Sequence, residues 1–137
     1  MKKTTLISTL IVVLALLSAC APAATEEAIL TVGENTYTQS SLEALGLLSV
    51  DYTDKDGVTT TYEGVLLSGL LEDAGLVEGG SEVVFTAADG YEASMTLEEA
   101  LACANCIIAF DDDSLRTVMP DMSGKLQVKD VVEVGLQ

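Results

Sequence analysis

The chain has 137 residues, a formal net charge of −16, and neither histidine nor tryptophan. That balance repels nucleic-acid phosphates and other anionic surfaces, so no nucleic-acid partner is expected, whereas cations or a basic protein surface are attracted. Without histidine the commonest acid–base catalyst and the commonest metal ligand are gone, and with them any Ser–His–Asp set.

Residues 1–20 read MKKTTLISTLIVVLALLSAC. Lys2 and Lys3 make a positive start, residues 6–17 an apolar run, and small residues lead into Cys20. This is the layout of an export signal, and the run is short for a bilayer span. Its Leu-Ser-Ala-Cys ending resembles a bacterial lipobox, in which Cys20 is acylated and becomes the new N-terminus. The sequence therefore predicts an extracytoplasmic protein, lipid-anchored to a bacterial membrane through Cys20, in oxidising surroundings. The leader holds two of the six basic residues and no acid, so the remainder carries four bases against 22 acids. Residues 21–28 (APAATEEA) read as a tether. Residues 29–137 then suit one small domain with one core.

Within that domain residues 29–32 (ILTV) predict an opening strand closed by Gly33-Glu34-Asn35. Ser40-Ser41-Leu42-Glu43 fits a capping box with Ser40 as the cap, and Gly46 ends the short helix. Residues 47–53 and 58–63 are strand-like, and Asp56-Gly57 between them signals a hairpin. Leu66, Leu67, Leu70, Leu71 and Ala74 recur at helical spacing, stopped by Gly75. A second hairpin is predicted from residues 82–87 and 91–95 around Asp89-Gly90. Thr96-Leu97-Glu98-Glu99 is a second capping box, opening a helix to about Ala102. Strands follow at residues 107–110 and 115–119, the latter stopped by Pro120. Residues 128–136 close the chain, with alternation at Val132, Val134 and Leu136. Strands in hairpins interleaved with short helices predict an α+β fold with a mixed sheet.

Cys103-Ala104-Asn105-Cys106 is the one reactive-looking motif. A disulfide, a buried thiol pair, or redox and metal work all remain open. The pair follows a helix rather than starting one, so the helix dipole does not stabilise a thiolate. A zinc site lacks further ligands. Asp111-Asp112-Asp113 offers three adjacent carboxylates to a cation, without the alternating spacing of a dedicated Ca²⁺ loop; a solvated acidic turn is the plainer reading. Arg116, the only arginine, is a candidate ligand contact or an ion-pair partner, and Tyr91 a candidate ligand-facing aromatic.

The series YEGVLLSGLLEDAGL, VVFTAADGYEASMTLEEAL, IIAF, LRTVMPD and VKDVVEVGL, in that order, resembles the oxidoreductase molybdopterin-binding domain, the catalytic fold of sulfite oxidase-type enzymes. Gly64, Asp89-Gly90-Tyr91, Arg116, Pro120 and Lys129 stand at matching places, over about residues 29–136. The resemblance implies that fold and, in the enzymes, a molybdenum held by a cysteine near the end of the strand at residues 47–53. Here Val50-Asp51-Tyr52-Thr53-Asp54 stands there instead. A carboxylate or hydroxyl is a harder ligand than a thiolate. Few cations remain to hold an anionic pterin. The expectation is a reduced member serving as a non-catalytic binding or accessory module, working with a membrane or cell-surface protein partner and with no cofactor. The alternatives are a molybdopterin-dependent oxidoreductase drawing its thiolate from Cys103 or Cys106, and a CxxC thiol redox or metal-binding lipoprotein.

Overall fold

The computed structural model describes residues 25–137. The export signal, Cys20 and the first part of the tether lie outside the described residues. Nine strands and three short helices run in the order β1 (Leu30–Val32), β2 (Asn35–Tyr37), α1 (Gln39–Glu43), β3 (Leu47–Thr53), β4 (Thr59–Leu66), α2 (Leu67–Asp73), β5 (Glu82–Ala87), β6 (Glu92–Thr96), α3 (Leu97–Ala102), β7 (Ile107–Asp111), β8 (Ser114–Val118) and β9 (Val131–Leu136). A 3₁₀ turn at Gly124–Leu126 lies between β8 and β9.

The strands form two sheets rather than one. The first has the order β2-β1-β9-β5-β6 and is mixed, because β1 runs parallel to β9; the second, β3-β4-β7-β8, is antiparallel throughout. The main core lies against both sheets and the helices. Leu30, Val32, Phe85 and Val134 come to it from the first sheet, Val65 and Ile108 from the second, and Leu42, Leu70, Leu71 and Ala100 from the helices. A smaller cluster, Val50, Ile107, Ala109 and Val118, occupies the opposite face of the second sheet, with Tyr52 and Tyr62 packed on it.

Local chemistry explains most of the elements. Gly57 (φ 80°) and Gly90 (φ 89°) take the left-handed conformation that the two Asp-Gly hairpins need. At the end of α2, Gly75 N–H bonds the Glu72 carbonyl and Leu76 N–H that of Leu71, which is a Schellman cap. Thr96 and Glu99 make the predicted reciprocal box at α3. Tyr37 is buried, and its hydroxyl donates to Asp73 at 2.7 Å; burial first and Asp73 second push the phenol up to about 12.

Three local expectations are corrected. Residues 33–34 do not end an isolated strand; they turn into β2, which pairs back on β1. The cap of α1 is Thr38, boxed with Ser41, while the Ser40 hydroxyl donates to Glu26 at 2.6 Å. That bond, with others from Thr38 and the Ser40 backbone, holds the Glu26 carboxyl below its usual range. The alternation expected in β9 also fails, since Val134 is buried but Val132 is 41 % exposed. Ala87 pairs with Val131 and Thr86 with Glu133, so Val132 is an extra residue in a bulge that resets the strand's phase.

Candidate functional site

The second sheet builds the site from its register. Leu48 faces Gly64, Gly64 faces Ala109, and Ala109 faces Arg116, giving one row across four strands. A Cβ on Gly64 would lie 2.1 Å from the Ile108 carbonyl oxygen and 2.5 Å from the Ala109 Cα, so only glycine fits between β4 and β7. With glycine and alanine in the middle of the row, nothing blocks the long Arg116 side chain from lying over the sheet. Its guanidinium reaches Tyr62 on β4, with the carbon 4.7 Å from the ring centroid and Nη1 donating to the hydroxyl at 2.9 Å. Asp111 approaches Nη1 at 3.5 Å. The residue is 7 % exposed, and its Nε is buried without a hydrogen-bond partner.

This arginine forms part of the wall of a cavity of about 390 Å³. Tyr52, Asp54, Lys55 and Thr60 of the β3–β4 hairpin form one side; Gly124, Gln127 and Lys129 of the β8–β9 connection form the other. That connection is pinned in place. The Gln127 side chain bonds both the N–H and the carbonyl of Met119, and the Thr117 hydroxyl sits between the Leu126 carbonyl and the Val128 N–H. Lys129 is drawn beside Arg116 by a backbone bridge. Residues 25–137 contain only Lys55, Arg116, Lys125 and Lys129 as bases, and three of these line this one cavity.

The other candidates stand elsewhere. Cys103 and Cys106 are bridged, with Cα atoms 5.6 Å apart. Cys103 caps the C-terminus of α3, and Cys106 is buried in the main core, its carbonyl accepting from the Leu67 N–H at 2.8 Å. Neither cysteine lines the cavity. Tyr91 is 47 % exposed and its hydroxyl donates to the Lys125 carbonyl at 3.1 Å, away from Arg116. Of the three aspartates, Asp111 turns to Arg116, while Asp112 and Asp113 line a second, acidic cavity of about 510 Å³. Among the described residues no group of three acids or cysteines is placed to hold a metal ion. Sequence reasoning singled out Arg116 but gave Tyr52, Tyr62, Lys55 and Lys129 no shared site. The scarcity of bases was the available signal: with so few, any two that meet are informative.

Comparison with known proteins fixes the class. Residues 11–137 match the oxidoreductase molybdopterin binding domain, and the chain belongs to that family. Its fold is similar to part of sulfane dehydrogenase SoxCD from Paracoccus pantotrophus, at a TM-score of 0.64 and 18 % identity, over 80 % of this chain and 37 % of that one. The chain thus spans well under half the length of that relative. No curated protein matches it.

The family implies a molybdopterin cofactor, and the cavity's donor set can be tested against it. Lysines and arginine suit an anionic group. The metal does not fit: the cavity offers phenols, ammoniums, an amide, hydroxyl and one carboxylate, but no thiolate, and the only described cysteines are bonded to each other in another layer.

Proposed function

We propose that this protein is an extracytoplasmic lipoprotein, anchored through Cys20, whose domain binds a small anion in the Arg116 cavity without metal and without catalysis. The observation that carries the reading is the convergence of Arg116, Lys55 and Lys129 on one cavity in a chain this acidic, with no thiolate among them. An unpartnered Arg Nε and two tyrosines suit an anion with a planar or apolar body, because the rings supply stacking area and the cations fix the charged end. Among the described residues no helix is long and apolar enough to cross a membrane, in keeping with attachment by lipid.

The oxidoreductase alternative would need Cys103 or Cys106 as metal ligand, and their bridge, with Cys106 buried in the main core, speaks against it. Thiol redox work is disfavoured by the position of Cys103 at a helix C-terminus, where the dipole opposes a thiolate.

The test is metal and pterin analysis of the full-length protein purified in detergent from its host's membrane, followed by calorimetric titration with sulfate, phosphate and benzoate. Saturable binding of one of these by metal-free, pterin-free protein is expected. Near-stoichiometric molybdenum with pterin would overturn the reading.

A further inference from the structure

β3 is the outer strand of the second sheet, and among the described residues no element pairs with its far edge. It is long for an open edge, seven residues, and carries no lysine, proline or bulge to block pairing. Leu47 is 43 % exposed and Leu48 37 %. Asp54 and Val58 close the β3–β4 hairpin with a backbone bond. Hydrogen-bonded pairs alternate along an antiparallel ladder, so Leu47, Ser49, Asp51 and Thr53 turn their N–H and C=O groups to the open edge.

We propose that this edge pairs antiparallel with β3 of a second copy of the chain, about a two-fold axis at Val50. The strand's own sequence selects that register. With Val50 against the partner's Val50, Leu47 meets the partner's Thr53 and Ser49 meets the partner's Asp51, so every outward N–H and C=O finds a partner. Leu48 then stands opposite the partner's Tyr52 on the face that already carries Val50 and Tyr62, an aliphatic–aromatic pair of the kind that stabilises sheets. Sliding by two residues in one direction leaves Thr53 unpaired. Sliding the other way sets Asp51 against the partner's Asp51, like charges directly opposed. In the favoured register the single charge of the strand meets a serine hydroxyl instead. Tyr52 lines the Arg116 cavity, so the partner's Leu48 extends that cavity's outer wall. The pairing itself rests on the open edge and stands whether or not the cavity binds an anion.

The two copies are both strongly acidic, so pairing tightens as salt screens their repulsion. The full-length protein in detergent is to be followed by sedimentation from about 50 to 500 mM salt, where the Debye length falls from above 10 Å towards 4 Å. A dimer fraction rising with salt is expected. Ser49→Pro removes an N–H that the domain itself does not use and should give monomer with an unchanged melting temperature. Val50→Cys puts a thiol on the axis, at a non-hydrogen-bonded pair close enough for a disulfide, and should form a covalent dimer under mild oxidation. Val58→Cys, at the exposed hairpin tip, should not. Monomer at every salt concentration, dimer persisting in Ser49→Pro, or equal cross-linking of both cysteine variants each overturns the proposal. If Ser49→Pro does not fold, the two cysteine variants decide alone.

Discussion

Two cavities open on opposite faces of the β7–β8 ladder, and they carry opposite charge. Phe110 and Leu115, paired across the ladder, turn into one; Arg116, the next residue along, turns into the other. The larger cavity is rimmed by Glu27, Asp112, Asp113 and Asp130 and has no base in its lining. The smaller collects most of the bases that residues 25–137 possess. With 22 acids against four bases, an acid-lined cavity is what composition alone delivers, whereas a base-lined one requires placement. Local charge is informative in proportion to how far it departs from the chain's background, and by that measure the smaller cavity is the site.

The largest expected effect comes from the row that lets Arg116 lie across the sheet. Gly64→Ala drives a methyl into the Ile108 carbonyl and the Ala109 backbone, with no flexible side chain to give way. It should cost about 3 kcal/mol, at the upper end for overpacking, and lower the melting temperature by roughly 10 °C or more. A melting temperature within a few degrees of wild type would mean that β4 and β7 leave room for a methyl at Gly64, against the 2.1 Å approach to the Ile108 carbonyl. A substitution in the acidic cavity, such as Asp112→Gly at its positive φ of 51°, should by contrast be neutral or stabilising, because glycine takes that conformation freely.

Next in size is the Cys103–Cys106 bridge, which belongs to neither cavity. It closes a very short loop, so Cys103→Ser with Cys106→Ser should cost about 2 kcal/mol. Anion affinity in the folded variant should be unchanged. A large loss of binding at intact stability would return the cysteines to the site and sharpen the oxidoreductase alternative.

How much of this was legible beforehand depended on distance along the chain. Both Asp-Gly hairpins, the Thr96 box and the Gly75 stop are decided by residues within a few positions of one another, and the sequence displays them directly. Ser40 fits the capping pattern because it precedes an acid at the right spacing, but the box that forms joins Thr38 to Ser41, which stands in place of the usual Glu or Gln. The bulge at Val132 leaves no mark, since one extra residue in a strand looks like any other. Arg116 could be named for being the only arginine, but its partner Tyr62 lies 54 positions away. Their meeting depends on β4 pairing with β7 across the α2–α3 segment, which no local pattern encodes. The family series carried the fold and pointed to the missing thiolate; it marked Arg116 and Lys129 as matching positions but brought neither of them, nor Lys55, to a shared cavity.

The binding variants should grade by how deeply each cation sits. Arg116→Gln removes the buried charge and its fork, and should weaken anion binding tenfold or more, about 1.4 kcal/mol. Arg116→Lys should recover only part of that, because an ammonium cannot stack on Tyr62 and donate to its hydroxyl in one geometry. Lys55→Gln and Lys129→Gln remove more solvated charges and should each cost about threefold, with a shallower salt dependence. Asp113→Asn is the smallest and most discriminating change. It removes a negative charge from the acidic cavity on the other face of the ladder and should tighten anion binding by less than twofold, through the general field alone. If Asp113→Asn instead matched Lys55→Gln in size, binding would be tracking net charge, and the convergence of bases would not be a site at all.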